Sequence, residues 1–406
     1  MSRRQVVVAG IGLAGLTAAV RLAEAGQPVL VLAKGVGATH LGPCTIDVLG
    51  YAPDRVERPG EALASLPESH PYSLVGRDGV AAAIDWLKAG LPYVGGLEEN
   101  LLLPTAVGAL KPSAAVPESM AAGDLRSGGE VAVVGFRALK DFHAQLLADN
   151  LSRAGIGARA FELDLVPEGR ADANSLGFAR AFDDPEFRAE VVAQVGGRVG
   201  AGERVAFPAV LGLAPGTWRE VQERLARPVF EVPTLPPSVP GMRVFAALRE
   251  RLRRAGARVI LNSVVTGAER DGGRVTAVRA RVGLRDVLHE AEWVVLATGG
   301  FASGGIELDS RWRAHEVALG LPVSGVPESE RFAPGYFDPQ PMARAGVEVD
   351  RDLRPEGHEN VLVAGATLAG AEPWREKSGD GISLSTGHRA AELILAATRE
   401  PARAGA

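Results

Sequence analysis

Val6-Val7-Val8-Ala9-Gly10-Ile11-Gly12-Leu13-Ala14-Gly15 is the stretch from which the fold of this chain is read. Val6 to Ala9 is a short continuous apolar run, as expected of a strand buried on both faces, and Leu13 opens an apolar helix directly after it. Between the two lies a GxGxxG spacing. Gly10 permits the tight turn, Gly12 lets backbone approach a phosphate, and Gly15 lets the helix pack on the strand. The spacing predicts that Gly10, Gly12, Leu13, Ala14 and Gly15 hold the phosphate of a nucleotide or flavin on free N–H groups at a helix N-terminus. A tight turn with no ligand is the alternative.

Beyond Gly15, the helix from Leu13 to Ala25 stops at Gly26, and Pro28 to Ala33 supplies a second buried parallel strand, completing a βαβ unit. In the usual dinucleotide fingerprint an Asp or Glu at the end of that strand bonds an adenosine ribose, but here Ala33 and Lys34 stand in its place. Lys34 can neutralise a phosphate or simply be solvated. Gly35 to Gly60 reads as a loop and Asp78 to Ala89 as a helix.

The middle of the chain has its own alternation: strands at Val131 to Gly135, Arg159 to Leu165 and Arg204 to Leu211, with helices at Asp141 to Ala154, Pro185 to Val195 and Thr217 to Ala226. None of its glycines repeats GxGxxG. Pro233 to Gly241 is too proline-rich for helix or central strand and predicts a rigid crossing. After it the nucleotide-type pattern resumes with a helix at Val244 to Ala255, a strand at Arg258 to Leu261, and a hairpin at Val264 to Arg281 around Asp271-Gly272-Gly273. Buried strands follow at Trp293 to Ala297 and Asn360 to Gly365, then a terminal helix from Gly381 to Ala397. The predicted organisation is a discontinuous binding domain, 1–90 and 241–406, interrupted by an α/β insertion, 91–240, that serves as a cap or partner-binding domain.

At 406 residues, with 46% hydrophobic and 23% charged side chains, the chain reads as a globular protein of two or three units. A net charge of −5 gives no electrostatic reason to expect nucleic acid. Cys44 is the only cysteine, so the chain has no disulfide and cannot by itself ligate an iron–sulfur cluster. The seven histidines lack metal-ligand spacing, and neither HExxH nor a Ser-His-Asp order is visible, so no metal site is expected. No apolar run approaches the ~18 residues that span a bilayer. Ser2-Arg3-Arg4 before Val6 imitates a secretory signal, yet Arg21 and Glu24 continue a helix where a cleavage site belongs, so the stretch reads as mature, cytoplasmic sequence.

GIGLAG (10–15), VVLATGG (294–300) and NVLVAGATLAG (360–370), in that order, resemble the two-domain flavoproteins with a glutathione-reductase-like nucleotide-binding domain. The resemblance implies an α/β fold: a Rossmann-like FAD/NAD(P)-binding domain with a central parallel sheet and an inserted α/β domain. It narrows at His70 to Gly76, Pro233 to Arg243 and Phe337 to Pro341, strings similar to the B-subunit family of anaerobic glycerol-3-phosphate dehydrogenases. That similarity implies an FMN-bearing subunit working with an FAD-bearing catalytic subunit and a membrane-bound iron–sulfur subunit. Together they oxidise sn-glycerol 3-phosphate to dihydroxyacetone phosphate and reduce quinone, on the inner face of the cell membrane.

Ligands in such sheets bind outside the carboxyl ends of strands, so Thr298, Gly299, Gly300 and Gly365 join the expected cofactor set. Gly379, Asp380 and Gly381 precede the last helix, whose positive end suits the anion of a reduced flavin, although Asp380 also reads as a helix cap. His40, in the loop that passes the ring in this fold, is a candidate proton-exchange group or a loop histidine bonded to backbone. Arg243 is the other candidate active residue, pairing with a phosphate or carboxylate, or else closing a helix-start salt bridge. Glu372, Arg375 and Lys377 face a partner or solvent. The family's ribityl-binding acid is also missing, since Ala366 follows Gly365, and with Ala33 this favours FMN over FAD. A stand-alone FAD enzyme acting on a small carboxylate, and a scaffold without cofactor, remain the competing readings.

Overall fold

The computed structural model describes residues 5–167 and 173–403; Ser2, Arg3 and Arg4 lie outside them. In chain order, the elements that position the site begin with β1 (Val6–Ala9), α1 (Leu13–Glu24), β2 (Val29–Ala33) and α2 (Pro71–Gly90). A hairpin pair β3 (Leu101–Pro104) and β4 (Leu110–Ser113) follows. Next come β5 (Glu130–Phe136), α3 (Ala144–Arg153), β6 (Gly157–Leu163), α4 (Ser175–Phe182), α5 (Pro185–Gly196), β7 (Glu203–Pro208), α6 (Thr217–Leu225) and β8 (Val229–Val232). The chain then returns through α7 (Val239–Arg254), β9 (Arg258–Leu261), β10 (Ser263–Asp271), β11 (Arg274–Val282), β12 (Arg285–Glu290), β13 (Trp293–Leu296), β14 (Val361–Val363) and α8 (Gly379–Arg403).

The first sheet is parallel throughout, in the order β9-β2-β1-β13-β14, with Val6 opposite both Val29 and Trp293. Its apolar runs are continuous because both faces are covered. Val6, Val8, Val29 and Val31 enter a core with α1, α2, α7 and α8, whereas Val7, Ala9, Leu30 and Leu32 enter a second core under the antiparallel sheet β10-β11-β12. The period-two alternation of a strand thus feeds two cores from one sequence run.

A second parallel sheet, β8-β7-β5-β6, has a core of its own built on Phe136, Phe178, Phe182 and Phe207. Strand order places the third strand of this unit beside the first, so it is doubly wound like the first sheet.

Three local expectations change. The helix expected from Asp78 begins at Pro71, because His70 accepts the Tyr72 N–H and Pro71 suits a first turn; a positive φ of 76° at Gly76 kinks it. The proline crossing ends early, since Ser238 caps α7 through the Gly241 N–H and Pro240 lies in its first turn. The hairpin gains a third strand, β12, whose side chains are mostly exposed and so lack an apolar face to announce it.

Candidate functional site

The glycines of the first turn are demanded by close approach. Gly10 has φ of +112°, and a Cβ on it would collide with the Ala297 carbonyl oxygen; one on Gly15 would collide with the Gly10 carbonyl. Gly12 differs: its φ is −67° and a Cβ there meets nothing within 4 Å. No side chain caps α1. The turn is therefore an open cradle of N–H groups at a helix N-terminus, with Leu13 and Ala14 buried and offering backbone alone. Gly37, at φ +74°, folds the loop after β2 back over it, so that a Cβ would sit 2.9 Å from the Gly12 nitrogen. Lys34 is exposed at the start of that loop.

The turns after β13 and β14 are tied to one another and to α1. The Gly299 N–H donates to Thr367 Oγ1 at 3.0 Å, and that hydroxyl donates back to the Gly299 carbonyl at 3.1 Å. A Cβ on Gly300 would lie 2.6 Å from the Ala366 carbonyl. Gly365 donates to Thr386 Oγ1 of α8 at 2.8 Å, and a Cβ on it would sit 2.9 Å from that of Ala14. Fully buried Glu316 accepts the Ala318 and Leu319 N–H groups and a 3.5 Å bond from Thr298, anchoring the β13 turn; no motif marks it in the sequence.

Helix α8 lies alongside α1 and runs the same way: Gly387 packs on Ala14, and Arg21 pairs with Glu392 at 2.7 Å. Both positive ends point to the same strand edge. The eight residues from Gly387 back to Gly379 carry the start of α8 about 12 Å past the level of Ala14, at 1.5 Å per residue. Here the Gly381 N–H donates to the Asp47 carbonyl at 3.0 Å, and Tyr72 Oη donates to the Ser378 carbonyl at 3.1 Å. His70, whose Nδ1 accepts the Tyr72 N–H, meets Glu376 through Nε2 at 3.2 Å.

Because α8 begins at Gly379, Asp380 stands inside its first turn. Burial, and after it the Asp47 carboxylate, push the Asp380 carboxyl up to about 7, with Lys111 pulling the other way. The residue as a whole is partly exposed.

The two candidates for active chemistry both pack against α7 or lie on it. His40 packs edge-on against Phe245 of α7, ring centres 4.7 Å apart, beside a cleft of about 620 Å³ that Val36, Met242 and Val259 also line. That cleft is on the β9 side of β2, whereas Thr298–Gly300 and Gly365 follow strands on the other side of β1. Burial lowers the His40 pKa, and its Nε2 makes no hydrogen bond among the described residues, so the alternative of backbone bonding is not met at that atom. Arg243 donates to Glu231 through two nitrogens, at 2.6 and 2.9 Å, and to the Gly212 carbonyl at 2.7 Å. Its guanidinium is engaged by protein acceptors as the helix-start salt bridge, not held open for an anion. Glu372 likewise turns inward, pairing with Arg344 and, at 3.8 Å, with Arg375.

The residues present suit a flavin phosphate: an uncapped helix N-terminus, an open Gly12, and no carboxylate at Ala33 or Ala366 to repel it. Among the described residues no cluster of three or more metal-ligating side chains occurs, and no helix is long and apolar enough to cross a membrane.

The chain resembles known proteins over nearly its whole length. Residues 5–382 match the FAD binding domain family. The probable anaerobic glycerol-3-phosphate dehydrogenase B-subunit of Halobacterium salinarum is 33% identical over 414 residues, covering 95% of this chain and 96% of that protein. The anaerobic glycerol-3-phosphate dehydrogenase B-subunit of Pectobacterium carotovorum is 32% identical over 419 residues, covering 97% and 99%. Among solved structures, a 3-ketosteroid Δ1-dehydrogenase from Sterolibacterium denitrificans aligns over 97% of this chain and 100% of its own, at 12% identity and a TM-score of 0.46. The family match and the two dehydrogenase relatives place the chain in the anaerobic glycerol-3-phosphate dehydrogenase B-subunit family, flavin oxidoreductases carrying the FAD binding domain.

Proposed function

We propose that this chain is the flavin-bearing subunit of a respiratory glycerol-3-phosphate:quinone oxidoreductase, and that its flavin is FMN. The observation that carries the reading is the pair of helix N-termini, α1 and α8, directed at one strand edge where glycine turns from four strands meet. Gly12, Leu13 and Ala14 hold the phosphate by backbone, with Lys34 as its counter-charge. Thr298 to Gly300 and Gly365 border the ring, and the α8 end, Gly379 to Gly381, favours negative charge there. The bound flavin supplies two-electron acceptance. FMN is favoured because it has no adenosine to need the carboxylate that Ala33 and Lys34 lack.

Partner subunits complete the reading: an FAD-bearing catalytic chain and a membrane-bound iron–sulfur chain, through which this one lies at the cytoplasmic face of the membrane. A single cysteine, and no membrane-crossing helix among the described residues, leave the cluster and the anchor to those partners. In the assembled enzyme hydride would pass from C2 of glycerol 3-phosphate to the FAD of the catalytic subunit as a base takes the hydroxyl proton, and a flavin held by the α1 turn and the α8 end of this chain would supply electron relay toward quinone. Acid release and chromatography of the cofactor from the purified chain is expected to yield FMN; FAD would overturn the cofactor assignment, and no flavin at all would overturn the flavoprotein reading. Glycerol 3-phosphate is expected to bleach the flavin only with partner chains present, so bleaching of the isolated chain contradicts the relay.

A further inference from the structure

On the α1 face of the first sheet, Val6 and Val8 of β1 and Val29, Val31 and Ala33 of β2 are all buried. The edge strand β9 continues the row, with Val259 opposite Val31 and Leu261 opposite Ala33, but both of its side chains are only half-buried. A parallel sheet has helices over both faces, so at β9 a cover is missing. The cleft of about 620 Å³ beside His40 lies there, with Val259 on its sheet side and α7 as the other wall. Met242, Phe245, Ala246, Arg249, Glu250 and Arg253 line that wall, at spacings that make one helix face. At 1.5 Å per residue the face is about 16 Å long, three helical turns. Its character changes along its length, from Met242 and Phe245 near His40 to arginines at the far end. Glu250 is shared between Arg253 and Arg254, each at 2.8 Å, and exposed Arg249 has no ion pair or side-chain hydrogen bond among the described residues. The far end therefore holds surplus positive charge on a chain whose net charge is −5.

We propose that this groove is the seat of an amphipathic, acidic helix from a partner subunit, which completes the cover of the sheet. The inference rests on the reading of this chain as one subunit of a larger enzyme, and names where a partner holds it. The helix lays its apolar side on Phe245, Ala246 and Val259, much as α7 lays its own on the core it shares with α1, and sets its carboxylates against Arg249 and Arg253. Charge complementarity selects an acidic partner, and the concave shape selects a convex element over a bilayer surface. A two-fold contact between copies of this chain is disfavoured, because it would set the arginines of α7 against their own counterparts.

The test uses the full chain, alone and co-expressed with the FAD-bearing and iron–sulfur chains. Cys44 is the only cysteine and is buried, so Ala246→Cys, at an exposed position, puts a single reactive thiol in the groove. Maleimide labelling of that thiol is expected to slow at least about tenfold on assembly, as an interface excludes reagent. Arg249→Glu should weaken assembly about tenfold or more by sedimentation, with Arg249→Lys close to wild type and the flavin spectrum unchanged in both. Exposed Arg285 on β12 serves as the control, and Arg285→Glu should assemble normally. Equal labelling in the isolated chain and the complex, normal assembly of Arg249→Glu, or an equal loss in Arg285→Glu would each overturn the proposal while the partner reading stands. Slow labelling of the isolated chain that speeds up on dilution would give the groove to a second copy. Slowing by phosphatidylglycerol vesicles alone would give it to the membrane, and either result overturns the proposal too. A wild-type chain that assembles with neither partner defeats the partner reading itself. Should Arg249→Glu fail to fold, the labelling decides.

Discussion

For single residues, the requirements of the glycine turn separate cleanly. Gly10→Ala forces a Cβ into the Ala297 carbonyl at a φ of +112°, combining a backbone clash with a conformation that L residues avoid. Chemical denaturation is expected to show a loss of about 3 kcal/mol or more, the range of strain at a special backbone position. Gly12→Ala meets nothing and keeps a permitted φ, so stability should hold or rise by as much as ~1 kcal/mol from the stiffer unfolded chain. Its flavin affinity should nevertheless fall at least about tenfold, because the methyl group occupies the cradle; titration of the apo chain with FMN measures it. Unchanged affinity would place the phosphate elsewhere.

Among elements, α7 is the joint between the two parallel sheets. Arg243 on α7 pairs with Glu231 on β8, whose side chain is 0% exposed, and Glu231 also accepts the Leu211 N–H at 2.9 Å. Removing the cation strands a buried carboxylate, so Arg243→Met should cost about 3–5 kcal/mol in urea unfolding, and the double variant with Glu231→Leu should recover much of it. An anion-binding role for Arg243 predicts the reverse pattern: a nearly stable single variant with lost ligand affinity. Which elements were legible follows from the same physics. The runs Val6–Ala9, Val29–Ala33 and Trp293–Leu296 are apolar without alternation, and that pattern alone marks them as buried strands. β12, with three of its six residues charged, exposes most of its length and carries no such mark. The first turn of α2 was missed because its cap is a histidine, a residue outside the usual capping set.

For the whole molecule, the aromatic core of the second sheet shares no buried residue with the two cores of the first. We expect Phe207→Ala, buried in that core, to lower stability by about 3–5 kcal/mol while leaving the spectrum of bound flavin unchanged, because the lost contacts lie within the insertion. Loss of flavin in parallel with stability would show that the two units fold as one.

Local order is written directly in the chain: a strand, a turn and a helix each depend on residues within a few positions of one another, so GIGLAG and the apolar runs announce the parallel sheet and its phosphate turn. The surroundings of the α8 start come from folding instead, for there Asp47 and Lys111 lie 64 residues apart and Asp380 is hundreds further along. Burial and Coulomb interaction belong to neighbours in space, and it is they that brought Lys111 onto Asp47, turned Arg243 into a joint, and set His40 against Phe245 of α7.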